Sequence, residues 1–295
     1  MKQKLNPDKT YFAISDIHSY YWPMRSALKE AGFDETNPDH ILIVCGDIFD
    51  RGPDTLKVYS FLRSLPKDRR ILIRGNHESL LLDLIDGALP HWTDYSNGTL
   101  NTLCHLTEDL IIIPEYFIID RYWGTRYPEE FSKYWPIAKK KATESEVITW
   151  LKSDEWIDYL ELDKYIFVHS FIPVKHIDDK IWDAKNMANL KPMPRWRNAG
   201  KKAWERASWG CPYLQFAVGL FDTEIKKGKV LVCGHWHTRD FHSYFSGKGR
   251  DNNQLYFSEN LIGLDGCTAG TLNVNVLVIK DNKCFDKFGK ELTNG

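Results

Sequence analysis

Short apolar runs alternate with amphipathic segments along the first part of this chain, and that alternation narrows the folds open to it. Tyr11-Phe12-Ala13-Ile14, His40-Ile41-Leu42-Ile43-Val44 and Arg70-Ile71-Leu72-Ile73 have strand length and are rich in β-branched or aromatic residues. Between the first two, residues 23–31 place Met24, Ala27, Leu28 and Ala31 on one helical face and stop at Gly32. Residues 55–65 and 78–89 repeat that spacing and stop at Pro66 and Pro90. A β-α-β-α-β-α opening predicts mostly parallel strands covered by helices, hence the α/β class. Two later runs, at 165–168 and 229–232, continue it. Residues 260–265 and 272–279 read as antiparallel strands, so a second sheet packed on the first gives a layered sandwich.

The runs end in side chains that bind metals or phosphate. Asp16 and His18 follow the first run two residues apart, so both can point the same way. A carboxylate with an imidazole suits a borderline divalent metal, although Asp-x-His alone is also ordinary turn chemistry. Gly46-Asp47-Ile48-Phe49-Asp50-Arg51-Gly52 is far more specific. Its five fixed residues would arise by chance on the order of once per several thousand sequences of this length. Gly46 permits a sharp turn, Asp47 offers a carboxylate able to bridge two metals, and Arg51 offers a planar fork to phosphate oxygens. A solvated surface turn does not explain the apolar residues around it. In Gly75-Asn76-His77-Glu78, Asn76 supplies an amide oxygen to a metal and an NH₂ to phosphate. His77 points elsewhere and suits a general acid oriented by Asp50, while Glu78 reads as charge complementing a helix N-terminus. His169 closes the run at 165–168, where its placement favours a ligand over a core histidine. His235 and His237 stand at i and i+2 after another run and can both reach the cluster. Such donors can hold two divalent cations, and paired cations hydrolyse phosphate esters. Manganese is taken first, with iron or zinc as alternatives.

Charge is nearly balanced, 39 basic against 40 acidic residues, so no global field draws in nucleic acid or an acidic membrane. The polar N-terminus lacks the apolar core of a signal peptide, and no apolar stretch approaches the ~20 residues of a membrane span. The six cysteines form no C-x-x-C pair, and Cys45 and Cys233 lie in strand-like runs, which fits a reducing cytoplasm. Two aromatic segments, 91–160 and 175–215, interrupt the motifs and are expected to hang over the site as a lid on one domain spanning 1–295. Their tryptophans, among them Trp123, Trp135, Trp150, Trp156, Trp182, Trp196 and Trp204, read first as core of the inserted helices and second as stacking faces for bases.

Together these residues resemble the calcineurin-like metallophosphoesterases, and the intact G-D-x-x-D-R-G and G-N-H-E resemble their phosphoprotein phosphatase branch. That branch includes bacterial and phage Ser/Thr phosphatases and symmetrical dinucleoside tetraphosphatases. The resemblance runs from about residue 11 to 279, the two insertions excepted. It implies two packed mixed β-sheets flanked by helices, a four-layer αββα sandwich. It implies Asp16, His18 and Asp47 on one metal, and Asp47, Asn76, His169 and His235 on the other. Arg51 would bind phosphate, and His77 with Asp50 would form the acid dyad. Trp204-Glu205-Arg206 is similar to a W-x-R segment that supplies a second phosphate-binding arginine, here Arg206. Gly263-Leu264-Asp265-Gly266-Cys267 is similar to the family's late L-D-T-G-C strand. The chain departs from the branch at His169-Ser170-Phe171, where glycines usually follow the histidine. It departs again at Gly234-His235-Trp236-His237, where the second histidine resembles other metallophosphoesterases and implies His237 as an extra ligand of the first metal.

The implied activity is metal-dependent phosphoric ester hydrolysis. The first expectation is a phosphomonoesterase of Ser/Thr protein phosphatase type, working through a metal-bridging hydroxide on a phosphoprotein or nucleotide. The alternatives are a dinucleoside polyphosphate hydrolase, a nucleic-acid-end phosphatase, and an inactive metal-binding interaction module. The last predicts broken motifs, and every presumed ligand here is intact.

Overall fold

In the computed structural model, which describes residues 1–87, 89–108, 129–177 and 187–293, two six-stranded mixed sheets pack face to face. The first runs, in spatial order, Lys283–Phe285, Leu277–Lys280, Thr10–Ile14, His40–Cys45, Arg70–Ile73 and Trp156–Ile157. Its last four strands are mutually parallel, with Tyr11 opposite Ile41 and Ile43 opposite Ile71, as the β-α-β opening requires. The second sheet runs Lys2–Gln3, Leu160–Leu162, Tyr165–Phe167, Val230–Cys233, Leu261–Gly263 and Tyr256–Phe257.

The side-chain period of two sorts each strand between two cores. Tyr11, Ala13, Ile43 and Cys45 face Phe167, Val230, Val232 and Ile262 in a dry layer between the sheets. Phe12, Ile14, Leu42 and Val44 face outward against Met24, Leu28, Val58, Leu62 and Leu81 of helices Tyr21–Glu30, Thr55–Ser64 and Asn76–Asp86. On the far side, Ile166, Leu231 and Leu261 meet Trp196, Trp204, Phe221 and Phe241. Helices therefore flank both sheets, and strands buried on both faces explain the unbroken apolar runs.

Both C-terminal runs have an antiparallel neighbour as expected, Leu261–Gly263 pairing so with Tyr256–Phe257, but they belong to different sheets. Leu261–Gly263 lies parallel to Val230–Cys233 in the second sheet, whereas Leu277–Lys280 crosses to the first and runs antiparallel to Thr10–Ile14. Residues 272–276 are not a strand. Leu272 turns with φ +59°, and Asn275 donates its amide to the carbonyls of Leu264 (3.0 Å) and Asn253 (2.9 Å). The apparent alternation there is asparagines satisfying loop carbonyls.

Within the inserted segments, Trp135, Trp150 and Trp156 are buried in the helical core of the first sheet, and Trp196 and Trp204 in that of the second. Trp123 and Trp182 lie outside the described residues. No disulfide joins any of the six cysteines among the described residues. No helix among the described residues is long and apolar enough to cross a membrane.

Candidate active site

Strands of both sheets deliver their following loops to one region, and backbone bonds tie those loops together. Asp16 N donates to Gly46 O (3.2 Å), His18 N to Asp47 O (3.0 Å) and Gly52 N to His18 O (2.9 Å). Asp16, His18, Asp47, Asp50, Arg51 and His235 all have left-handed φ between 49° and 72°. Such conformations cost non-glycine residues free energy and persist where their surroundings over-determine them. Gly46 (φ +80°) sits under His169, where a Cβ would lie 2.6 Å from the ring Nδ1. Only glycine fits that approach.

Glu78 holds the loops. Fully buried, it accepts hydrogen bonds from Gly75 N (2.8 Å) and Asp47 N (3.0 Å) on one oxygen and Ile48 N (2.8 Å) on the other. Its task thus exceeds the helix-charge complementarity read from sequence, because it clamps two motif loops together.

Asp47 belongs to two clusters of potential metal-ligand atoms, His18–Asp47–His77 and Asp47–His169–His235, within each of which the atoms lie within 4.8 Å of one another. Its Oδ2 lies 3.9 Å from His18 Nε2 and 3.8 Å from His77 Nε2, and its Oδ1 3.3 Å from His169 Nε2. Asn76 Oδ1 is 2.8 Å and His235 Nδ1 3.3 Å from His169 Nε2, so these donors converge as well. His18 Nδ1 faces the Phe49 carbonyl (3.0 Å) and His169 Nδ1 the Cys45 carbonyl (2.8 Å). A carbonyl only accepts, so each Nδ1 carries the proton and each Nε2 presents a lone pair.

Asp16 and His237 stand beside these clusters and belong to neither. Asp16 Oδ2 accepts the His235 amide (3.0 Å) and the Ser15 hydroxyl. His237 is half-buried, its Nε2 4.0 Å from Oδ2 of the buried Asp265. Burial lifts the Asp16 and Asp47 carboxyls well above the usual range; Asp265 adds to the effect on Asp16, and Asp16 with Glu78 to that on Asp47. Burial likewise holds His18 and His235 well below the usual imidazole value and His169 down to about 3. Neutral imidazoles aimed at buried carboxyls form a donor set suited to borderline divalent cations, whose charge would favour the ionised carboxylates.

The dyad expected from sequence is assembled: His77 Nδ1 lies 2.7 Å from Asp50 Oδ2. Fully buried Asp50 also accepts from Thr99 Oγ1 (2.9 Å) and Thr102 Oγ1 (2.7 Å), both on the helix Thr99–Leu106. Arg51 Nη2 is 3.3 Å from His77 Nε2. Arg206 is half-buried in the last turn of the helix Lys201–Ala207. Thr99 and Thr102 had no sequence signal; Trp209, whose ring centroid lies 5.9 Å from that of His235, is one of the tryptophans of the aromatic segment 175–215. Asp265 had a signal, the late strand motif, without a role.

A family model described as calcineurin-like phosphoesterase matches residues 10–239. The chain belongs to the calcineurin-like phosphoesterases. It is therefore a metal-dependent phosphoric ester hydrolase. A relative from Nitrosococcus oceani named symmetrical bis(5'-nucleosyl)-tetraphosphatase is 28% identical over 246 residues, covering 79% of this chain and 84% of the relative. One of the same name from Buchnera aphidicola is 44% identical over 73 residues, 25% of each chain. Among solved structures, a cold-active protein-tyrosine phosphatase from a psychrophilic Shewanella matches with TM-score 0.54 and 16% identity, over 98% of this chain and 83% of that one. A protein provisionally named a diadenosine tetraphosphatase matches with TM-score 0.51 and 14% identity, over 100% and 99%. At such identities these two show that this calcineurin-like phosphoesterase shares their fold.

Proposed function

We propose that this enzyme hydrolyses bis(5'-nucleosyl) tetraphosphates, cutting the phosphate bridge symmetrically into two nucleoside diphosphates. The observation that carries this reading is the similarity to the Nitrosococcus relative of that name along most of both chains. It supports the dinucleoside polyphosphate alternative over the Ser/Thr protein phosphatase expectation.

In this reading Asp16, His18, Asp47 and His237 hold one divalent cation, and Asp47, Asn76, His169 and His235 the other, manganese being taken first. When bound, the pair supplies Lewis-acid polarisation of phosphoryl oxygens and charge that lowers the pKa of water. The rest falls to side chains. Arg51, now directed at His77, turns its fork to the phosphoryl oxygens as substrate enters, with Arg206 as a second phosphate contact. That frees His77 Nε2 to take up a proton from solvent and pass it to the departing oxygen. Asp50, pinned by Thr99 and Thr102, keeps the imidazole oriented. One domain over 1–295, working in the cytoplasm, completes the reading.

The test compares diadenosine tetraphosphate with a phosphoserine peptide on manganese-loaded protein, with Asp47→Asn as control. Expected is turnover of the dinucleotide with ADP as the sole nucleotide product. Preference for the peptide, or a mixture of ATP and AMP, would sink the proposal.

A further inference from the structure

A cavity of about 420 Å³ opens beside the metal-ligand clusters, sharing His169 with one of them and reaching Gly75, the neighbour of Asn76. That volume falls in the lower part of the ~300–1,000 Å³ usual for ligand pockets. It lies between the helix Asn76–Asp86 on one side and the helix Lys201–Ala207 on the other. Its apolar wall is Leu82, Leu151, Phe171 and Trp204. Trp204 is held in place by a stacked Tyr159, centroids 5.2 Å apart and planes within 9°.

The charges around the cavity decide what it can accept. Lys152 lies 3.5 Å from Asp86, and Lys201 lies 3.5 Å from Glu205, so these four compensate one another. Arg74, Asp83 and Asp158 are left, an excess of one negative charge. Such a lining disfavours a phosphate inside the cavity and keeps it at the cation site. The lining instead suits a neutral group with hydroxyls to donate and ring acceptors to offer. Asp83 and Asp158 can accept from a vicinal diol. Arg74 can donate: its Nη2 is used by the Leu151 carbonyl (2.9 Å), while its buried Nη1 has no hydrogen-bond partner among the described residues. A buried donor left unmatched is costly, so an acceptor arriving there is favoured.

We propose that this cavity is a nucleoside subsite, taking one ribose and base while the phosphates of the same molecule lie at the cation clusters beyond His169. The inference rests on the nucleotide reading above and adds the place where the nucleoside sits. An anionic phosphopeptide has less to gain, because its flanking backbone brings no diol and no ring acceptor.

Calorimetry on manganese-loaded protein tests it without turnover, using ADP against methyl diphosphate, which carries the same diphosphate without a nucleoside. Wild-type protein is expected to bind ADP at least about tenfold more tightly, from apolar burial and the added hydrogen bonds. Ser208→Trp, which fills the cavity from its rim, is expected to remove that preference. Should that variant fold poorly, Asp83→Leu at an exposed position is expected to weaken ADP several-fold and leave methyl diphosphate unchanged. Equal affinities in wild type, or an ADP preference that survives both substitutions, would overturn the subsite. So would a phosphoserine peptide that binds more tightly than ADP and loses that advantage in Ser208→Trp. A protein that prefers ADP yet fails to cleave diadenosine tetraphosphate would refute the proposed reaction and leave the subsite standing.

Discussion

Replacing His77 with Asn isolates proton transfer from the rest of the site, because the surroundings survive the change. Asp50 keeps the Thr99 and Thr102 hydroxyls at 2.9 and 2.7 Å, so its buried carboxylate is not orphaned. The bond from the residue 77 backbone amide to Asp47 Oδ1 (3.1 Å) does not depend on the side chain. What is lost is the imidazole Nε2 through which the proposed proton transfer would run. A positioned general acid is worth ~10²–10⁴ in rate, or ~3–5 kcal/mol of barrier, when the leaving oxygen is poor. An alkyl phosphate such as phosphoserine should lose that full factor. p-Nitrophenyl phosphate, whose leaving group delocalises its charge, should lose about tenfold or less. Diadenosine tetraphosphate should behave like the latter, since its leaving group is a phosphate with a pKa of about 6. The assay is kcat/KM on all three substrates at saturating manganese, with bound metal counted in each variant. Losses equal to within about threefold across the series would refute general-acid catalysis by His77. A variant that lost metal would instead make His77 a ligand, in keeping with its Nε2 lying 3.8 Å from Asp47 Oδ2.

Asp47→Asn should release both cations, because Asp47 alone belongs to both clusters; elemental analysis showing two metals retained per chain would contradict this. Glu78→Gln offers one oxygen where two held three amides, and should cost about 2–3 kcal/mol in urea unfolding. An unchanged midpoint would show the clamp to be dispensable. Burial raises the Glu224 carboxyl, but hydrogen bonds from Arg197, Lys227 and Trp196 outweigh it and bring the folded value to about 2 from an ordinary 4.5. A depressed carboxyl contributes stability that is full above pH 4.5 and lost as pH falls towards 2. That contribution is about 1–2 kcal/mol once solvent screening of its partly exposed partners is counted. Glu224→Gln should therefore destabilise the protein near neutrality and leave it close to wild type at pH 2; a gap of equal size at both pH values would refute the assignment.

The expectations that held were carried by local features. The strands ending at Ile14, Cys45 and Ile73 were legible because burial on both faces demands unbroken apolar runs. The placement of Asp47, Asp50 and His77 near one another was legible because their spacing past those strands already limits where they can point. Legibility failed where a residue's partner is distant in sequence. Thr99 and Thr102 look like ordinary helix residues until the fold brings Asp50 against them, 49 and 52 positions away. Arg197, in the segment 175–215, bridges Glu161 (2.8 Å) and Glu224 (2.8 Å) in the scaffold, partners its local sequence does not reveal. Residues 272–276 misled because strand periodicity does not reveal whether asparagines line a sheet or tether a loop.

The two sheets contribute separate halves of the proposed cation site: His18, Asp47 and Asn76 follow strands of the first, His169 and His235 strands of the second. With the proposed ligands, neither half would satisfy the ions until the sandwich has closed, so each bound cation would act as a clasp on the folded chain. A ligand at a hundred times its Kd adds about 2.7 kcal/mol to folding stability, and a chelator withdraws it. Metal supply would then govern how long each molecule escapes proteolysis as well as how fast it turns over. In a metal-starved cell the first sign of shortage would be fewer copies of the enzyme.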